Sequence, residues 1–452
     1  MKKVLFIITS LFLASCSREL DTFNENPNSP TEVTPSLLLS NVEVGTFSIQ
    51  TTGLARLSGI WSQQMCGTSA GQLGDYSVYN LPENAIGNEW SSLYTGVGVN
   101  AKEIINKYGS ESPYYSGIAK VILAINIGYA TDFWNEVPFS QAFKGKEGDY
   151  HPTYDKQEAI YKGLQSMLDE AIVELGKPES ANKNLPGGDD LIYEGDVSKW
   201  IKAAYTLKAR YALRLSEVTS ETDAAQKALD YLSKGFSSQA DDMNAVFKGG
   251  GSSQNQWYAF DRSRANYLKM GSYFVNLLKK NTDPRLAFYA SKDSKGDYSG
   301  NDANNLNDLE TSSLGSYLST IDKSVGIVTY TELKFIEAEA HHRLKHSSEA
   351  TDAFKEAVRS SLKLVTGSAD DSYVNKVTGT VNLENILLQK YVALFGSMEP
   401  YNDYRRTGYP VLTPLSGSTI PKRLPTPQNE RLYNKNAVVV GNITDAVWWD
   451  KN

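Results

Sequence analysis

The chain has 452 residues, of which 40% are hydrophobic and 21% are charged. This composition excludes a disordered or fibrous protein and supplies enough apolar side chains for a large core. Its 45 Lys and Arg residues against 52 Asp and Glu residues give a formal net charge of −7. That balance argues against a nucleic-acid binder, because neutralising phosphates requires a basic face.

The first sixteen residues predict export and a lipid anchor. Two lysines precede the apolar run 4–13, which is too short to span a bilayer and has the length of a signal-peptide core. The run leads into Leu13-Ala14-Ser15-Cys16, which is typical of a bacterial lipoprotein box. We therefore expect residues 1–15 to be removed and Cys16 to carry the acyl chains that hold the protein on a membrane.

Beyond the lipobox, the sequence is predominantly helical in pattern. Residues 16–35 include a polar stretch rich in Pro and Asn and are interpreted as an extended tether. Apolar side chains then recur at helical spacing. The predicted helices are 36–47, 89–107, 114–131, 155–175, 197–215, 222–235, 266–280, 330–344, 348–364 and 383–395. Strand-like alternation is confined to the neighbourhoods of 325–329 and 437–440, which is too little for an extended sheet.

Two helix pairs have the residue spacing of degenerate tetratricopeptide repeats. Small and aromatic residues alternate at the positions where paired helices approach closely. In the later pair these residues are Ala338, Ala350, Phe354 and Ala357, and in the earlier pair Trp200, Ala203, Ala204, Leu207, Ala224, Ala228 and Tyr231. The sequence thus favours an all-α protein built from stacked helix pairs.

Two irregular segments, 62–88 and the neighbourhood of 254–264, collect aromatic and polar side chains. Aromatic rings can stack on the CH faces of sugars while amides and charged groups bind hydroxyls, and the same mixture suits peptides. The candidate ligand-binding residues are Trp61, Gln64, Tyr76, Tyr79, Trp257, Tyr258 and Arg262. The alternative for Trp61 and Trp257 is that each indole anchors its loop to the core.

The sequence offers little that would support catalysis or metal binding. Glu339 with His342 forms only half of a di-iron motif, and His342 with His346 lacks the Glu of a zinc protease helix, so a solvated polar face is favoured. No cofactor and no metal ligand is predicted, and a structural calcium ion in 293–308 stays an open alternative. Cys66 has no basic neighbour in sequence and is expected to be inert and buried.

Several motifs occur in an order that resembles the SusD/RagB nutrient-binding lipoproteins of the Bacteroidetes outer membrane, in particular the second SusD-like subfamily. The motifs are Asp132-Phe133-Trp134-Asn135-Glu136-Val137-Pro138-Phe139, Lys208-Ala209-Arg210-Tyr211-Ala212-Leu213-Arg214, Asp283-Pro284-Arg285-Leu286, Glu337-Ala338-Glu339-Ala340, Tyr404-Arg405-Arg406-Thr407-Gly408-Tyr409-Pro410 and Ile420-Pro421-Lys422-Arg423-Leu424-Pro425. We interpret the Arg405 and Arg406 pair as structural, forming ion pairs with the acidic residues just before it.

The resemblance implies a single SusD-like α-helical domain over 36–452, with long irregular ligand-binding loops. It also implies a lipid-anchored protein on the outer membrane, facing the cell exterior. Such a protein works without catalysis: it captures oligosaccharide and delivers it to a SusC-like TonB-dependent transporter. The alternatives are a peptide-binding receptor of the same family, a protein-binding scaffold, and an all-α glycan-cleaving enzyme that would use carboxylates such as Asp132, Asp241 or Asp261.

Overall fold

The computed structural model describes residues 33–452. The expected signal peptide, Cys16 and most of the expected tether lie outside these residues. The described part is mostly helical and carries only short strands, which confirms the all-α fold class. No helix within 33–452 is long and apolar enough to cross a membrane.

The helices are named in chain order. They are α1 Pro35–Thr51, α2 Gly53–Trp61, α3 Leu73–Ser77, α4 Gly87–Ser91, α5 Val99–Glu103, α6 Pro113–Trp134, α7 Gln157–Leu175, α8 Val197–Arg214, α9 Glu221–Leu232, α10 Gln256–Ser263, α11 Ser272–Asn281, α12 Leu286–Tyr289, α13 Tyr330–Arg343, α14 Ser347–Thr366, α15 Asp371–Val377, α16 Leu383–Ala393, α17 Glu399–Thr407 and α18 Gln428–Tyr433. The π-helical turns Ser92–Gly98 and Ile104–Tyr108 join α4 and α5 into the one long helical segment that the sequence predicts there.

The strands form three separate two-stranded antiparallel ribbons. Their members are β1 Met65–Gly67 with β5 Leu268–Met270, β2 Val137–Pro138 with β3 Tyr154–Asp155, and β4 Met243–Ala245 with β6 Val325–Val328. The helix predicted for 266–280 is therefore wrong in its first part, because residues 268–270 pair with β1 and the helix begins only at Ser272. The strand-like stretch 437–440 forms no strand.

Helix pairs form the body of the fold. The pairs α8 with α9 and α13 with α14 coincide with the two predicted tetratricopeptide-like units, and α6 with α7 forms a further antiparallel pair. Ala203 and Ala204 of α8 and Ala338 of α13 are fully buried. Small side chains at these positions let the helix backbones approach closely, as the sequence pattern predicts.

Local sequence sets the ends of these helices. The Asp196 carboxylate accepts hydrogen bonds from the backbone N–H groups of Ser198 and Lys199 and so caps α8, and Ser220 caps α9 by accepting from the N–H of Asp223. Helix α14 ends where Gly367 adopts φ +84°, a left-handed conformation that glycine takes without steric cost. These caps fix where each helix of a pair turns back.

A buried network of ion pairs joins three helices. Arg406 of α17 donates two hydrogen bonds to Glu339 of α13 at 2.6 and 2.7 Å, and Arg214 of α8 donates to Glu399 at 2.5 Å. Burial alone would raise the pKa of the Glu339 carboxyl, but the guanidinium groups of Arg406 and Arg343 hold that pKa at about 2. The network therefore holds its carboxylates ionised inside the core.

The contacts in this region test the predictions made for Glu339, Arg405 and Arg406. Glu339 is fully buried, so the solvated face predicted for it is wrong. The ion pairing predicted for Arg406 is confirmed. Arg405 instead donates to backbone carbonyls of Asp132 and Lys422, and it pairs with no carboxylate in the described chain. A buried guanidinium needs acceptors, and carbonyl oxygens meet that need as well as acids do.

Candidate functional site

A surface cleft with a volume of about 630 Å³ lies beside α11. Helix α16 forms the second wall, residues 301–304 form the third, and residues 410–415 form the fourth. The floor comes from the end of α2, from β1 and from Ser77. We call this feature the cleft. Its volume falls in the range of small-ligand sites.

Helix α11 supplies one wall through a single face. Tyr273, Asn276 and Lys280 line the cleft together with Leu277, and their spacing of three, four and seven residues places them on one side of a helix. The opposite side buries apolar residues such as Phe274 in the core. Amphipathic patterning therefore turns the polar side chains of α11 toward the cleft.

The β1–β5 ribbon positions the start of α11 against the floor. The Gly271 N–H donates to the carbonyl of Gln64, and a Cβ on Gly271 would lie 2.1 Å from the carbonyl oxygen of Gln63. Only glycine fits such a close backbone approach. The backbone of Asn301 bonds on both sides of Gly271, to Met270 and Ser272. These contacts fix the 301–304 wall relative to α11.

The 410–415 wall is tied to the floor by two side chains. The Gln63 amide donates to the carbonyl of Thr413 at 2.5 Å, and the Tyr79 hydroxyl accepts from the N–H of Leu415 at 3.4 Å. Gln63 and Tyr79 have φ values of +59° and +63°. A left-handed backbone is uncommon for non-glycine residues and is retained where the surroundings impose it.

Polar groups around the cleft lack partners within the described chain. The Tyr273 hydroxyl, the Asn276 amide, the Lys280 ammonium and the Glu384 carboxylate make no hydrogen bond or ion pair with residues 33–452. Burial raises the pKa of Tyr273, and the nearby charge of Glu384 raises it further. The cleft therefore offers donors and acceptors of several kinds, next to the rings of Tyr79 and Tyr273.

Of the residues predicted to bind ligand, Tyr79 lines the cleft, whereas three others belong to the core. Trp61, Gln64 and Trp257 are fully buried. The Trp61 indole donates to the carbonyl of Tyr76 at 3.1 Å, and the Gln64 amide donates to the carbonyl of Tyr391 at 2.7 Å. A side chain without exposed surface cannot touch a ligand in this structure, so for these three residues the prediction is corrected to a packing role.

The remaining candidates lie away from the cleft. Tyr258 and Arg262 project from α10, where the guanidinium carbon of Arg262 lies 5.4 Å from the centre of the Tyr258 ring. Tyr76 is half-buried and lies near Arg56. The two predicted loops do meet, since the N–H of Thr68 donates to the carbonyl of Tyr267. None of these three side chains lines the cleft.

Sequence reasoning missed the walls that complete the cleft. The polar face of α11 was detectable as a stripe at helical spacing, because Tyr273, Asn276 and Lys280 lie within a predicted helix. Glu384 and the 410–415 segment carry no comparable signal. Their position depends on α16 and α17 packing against α2 and α13, a contact between segments far apart in sequence.

The carboxylates considered for catalysis have other partners. Asp132 accepts from the Trp449 indole at 3.0 Å and from the Tyr161 hydroxyl, Asp241 pairs with Lys202, and Asp261 accepts from the hydroxyl of Ser319. Asp293 begins the segment considered for a calcium ion, and its carboxylate accepts hydrogen bonds from the backbone N–H groups of Lys295 and Asp297. Within 33–452 no three His, Cys, Asp or Glu side chains are grouped closely enough to hold a metal ion.

Cys66 forms part of the cleft floor and matches the inert character predicted for it. It is unpaired and buried, and burial raises the pKa of its thiol to about 11. A thiol of this kind is protonated at neutral pH and is a poor nucleophile.

Comparison with known proteins identifies the family. A family model described as SusD-like, starch-binding associating with outer membrane, matches residues 27–427. The chain belongs to the SusD-like family. This confirms the resemblance carried by the ordered motifs. Its members are binding proteins that associate with the outer membrane, not enzymes, and the glycan-cleaving alternative is thereby set aside.

Solved structures of other proteins share the fold of this SusD-like chain. A chitin-binding protein is 26% identical with a TM-score of 0.78, over 93% of this chain and 100% of that one. A SusD/RagB family protein from Bacteroides thetaiotaomicron is 24% identical with a TM-score of 0.79, over 93% and 99% of the two chains. A chitin-binding SusD homologue from Flavobacterium johnsoniae is 22% identical with a TM-score of 0.78, over 92% and 99%. No curated protein sequence matches the chain.

Proposed function

We propose that this SusD-like protein binds an oligosaccharide in the cleft and delivers it to a SusC-like TonB-dependent transporter of the outer membrane. Cys16 carries the lipid anchor in this proposal, and the protein faces the cell exterior. No bond of the ligand is made or broken. The protein captures the oligosaccharide at the surface and releases it to the transporter, which favours a modest affinity.

The observation that carries the proposal is the set of unpartnered polar groups around the cleft. Asn276 offers both a donor and an acceptor, Lys280 donates and Glu384 accepts, so neighbouring hydroxyl groups of a sugar can be bound from several directions. Tyr79 and Tyr273 add rings against which a sugar face can pack. Asn276, Lys280 and Glu384 are exposed, so a ligand exchanges their bonds to water for bonds to its own hydroxyl groups, and the net gain per hydrogen bond is modest.

The printed names of the relatives determine which probes to use first. The family description names starch, and two neighbouring structures are described as chitin-binding. We therefore expect the protein to bind a maltooligosaccharide or a chitooligosaccharide. A mixture of short peptides serves as the competing class, because the family resemblance also includes peptide-binding receptors.

Isothermal titration calorimetry of the mature chain lacking its lipid tests the proposal. Asn276→Ala removes an amide that makes no hydrogen bond to another described residue, so we expect at least a fivefold weaker association with the bound oligosaccharide, equivalent to about 1 kcal/mol for one hydrogen bond. Lys279→Ala is the matched control. It lies on the same helix, but its ammonium group pairs with Asp297 outside the cleft.

The outcomes separate the alternatives. Equal weakening by Asn276→Ala and Lys279→Ala would place the binding site elsewhere. Binding of peptides but of no oligosaccharide would favour the peptide receptor. Shortened oligosaccharides after incubation would indicate hydrolysis and contradict the proposal.

A further inference from the structure

Three arginines near α10 differ from all other arginines of the described chain. Arg56, Arg262 and Arg264 donate no side-chain hydrogen bond within residues 33–452 and form no ion pair there. Every other arginine in this range donates to a carboxylate or a carbonyl oxygen, as Arg359 does to Asp371 and Arg423 does to a backbone carbonyl. In an acidic protein, unpaired arginines gathered at one place require an explanation.

These guanidinium groups lie on aromatic faces. The guanidinium carbon of Arg56 is 4.1 Å from the centre of the Phe260 ring, and that of Arg264 is 5.6 Å from the centre of the Tyr267 ring. The two rings contact each other edge to face with centres 6.5 Å apart. Arg56, Phe260, Tyr267 and Arg264 therefore form a continuous row, which we call the arginine row.

The Arg262 and Tyr258 pair belongs to the same helix, but residues 258 and 262 lie on a different face of α10 from Phe260. Stacking on a ring leaves the N–H edge of a guanidinium available for an anion. Of the residues predicted from the sequence for this segment, Tyr258 and Arg262 therefore lie outside both the cleft and the arginine row, and Trp257 is buried in the core.

The electrostatic surroundings of Arg56 contain one feature that favours anion binding and one that opposes it. Burial lowers the pKa of Arg56 to about 10, and the nearby charges of Glu89 and Tyr76 oppose that effect. Glu89 nevertheless makes no ion pair with Arg56, and its buried Oε2 atom has no hydrogen-bond partner in the described chain. The N–H groups of Arg56 are therefore free for an anion, but the nearby Glu89 carboxylate opposes the approach of that anion.

We propose that the arginine row is a second binding site that takes acidic sugar units of a polysaccharide, either uronate or sulfate. A guanidinium group binds a carboxylate or a sulfate through two parallel N–H bonds. The rings between the cations provide flat surfaces for the sugar rings that carry those acids. This site is separate from the cleft and does not depend on the oligosaccharide proposed for it.

The composition of the surface favours a polysaccharide over a docked protein. Protein interfaces centre on an apolar, desolvated core. The large hydrophobic side chains that are exposed within 33–452 include none from 252–270, and the rings of the row are half-buried under the guanidinium groups. A surface of cations and rings without an apolar centre is suited to a hydrated, charged polymer.

Affinity electrophoresis tests the proposal with three polymers: polygalacturonate, dextran sulfate and neutral dextran. We expect polygalacturonate, dextran sulfate or both to retard the protein, and dextran to have no effect. The double variant Arg56→Ala/Arg264→Ala should weaken the retardation at least tenfold. Arg359→Ala/Lys363→Ala on α14 is the matched control, because it removes the same charge from the solvent-facing side of another helix and should weaken retardation less than twofold.

Each outcome decides one part of the proposal. Retardation by polygalacturonate alone assigns uronate, and retardation by dextran sulfate alone assigns sulfate. Absence of retardation by both acidic polymers, or equal weakening by the two double variants, would overturn the site. Asn276→Ala should leave binding of acidic polymers unchanged, so failure of the cleft and failure of the arginine row are distinguishable.

Discussion

The buried ion network and the cleft use the same types of side chain in opposite ways. In the network, Arg406 and Glu339 satisfy each other within the core, and neither carries exposed surface of consequence. Around the cleft, Lys280 and Glu384 are exposed and unpaired within the described chain. The charged family motifs therefore stabilise the scaffold, whereas the proposed binding site consists of groups that the scaffold leaves unpaired.

The same contrast applies to the aromatic residues. Trp61 and Trp257 are ligand-binding candidates in the sequence, but both are fully buried in the core. Tyr79 and Tyr273, which are half-buried, line the cleft. Tyr tolerates this position because its ring is apolar and its hydroxyl can remain in water.

The largest expected effect comes from breaking the network. Glu339→Ala leaves the guanidinium of Arg406 buried without its main partner and should lower the free energy of unfolding by about 3 to 5 kcal/mol. Urea denaturation followed by circular dichroism measures it. Arg359→Ala is the control, because its ion pairs are exposed and such pairs contribute less than about 1 kcal/mol. Similar losses in both variants would contradict the role assigned to the network.

A second experiment tests the network through the pH dependence of the free energy of unfolding. The pKa of Glu339 is about 2 in the folded protein against an ordinary value of 4.5, so the folded state binds its proton less tightly than the unfolded state. The stabilisation is complete above pH 4.5 and is lost as the pH falls toward 2, by about 3 kcal/mol. Glu339→Gln should flatten this decline in denaturation curves recorded from pH 6 to pH 2.5. An unchanged slope would show that other carboxylates control acid unfolding.

An effect of opposite sign is expected at Asp242, which lines a second cavity of about 470 Å³. Burial raises the pKa of the Asp242 carboxyl to about 7, and the charge of Asp241 contributes to this rise. Ionising this carboxyl in the folded protein costs stability, and the cost appears as the pH rises from about 4 to 7. Asp242→Asn should therefore stabilise the protein by up to about 4 kcal/mol at pH 8 and by almost nothing at pH 4. Thermal melts at both pH values measure the difference. Destabilisation at pH 8 would mean that the carboxylate charge is needed there.

Local signals in the sequence were sufficient for the helix pairs. Apolar and small residues at helical spacing identify α8, α9, α13 and α14, and the buried alanines between them confirm the repeat-like packing. Residues 266–280 show where local signals fail. The pattern there is compatible with one helix, but residues 268–270 find a pairing partner in β1, some two hundred residues earlier in the chain. Tertiary pairing overrides local propensity in such short segments.

The sequence by itself determined the helical class, the family motifs and the expectation of an acylated Cys16, because periodicity and short ordered motifs are local properties of a chain. Only the tertiary structure decided which of the polar and aromatic residues face solvent together. The cleft joins α11, α16 and the 410–415 segment, and the arginine row joins α2 with α10 and Tyr267. Whether a tryptophan is buried or a lysine is left unpaired depends on neighbours brought from distant parts of the chain, and spacing along the sequence does not encode those neighbours.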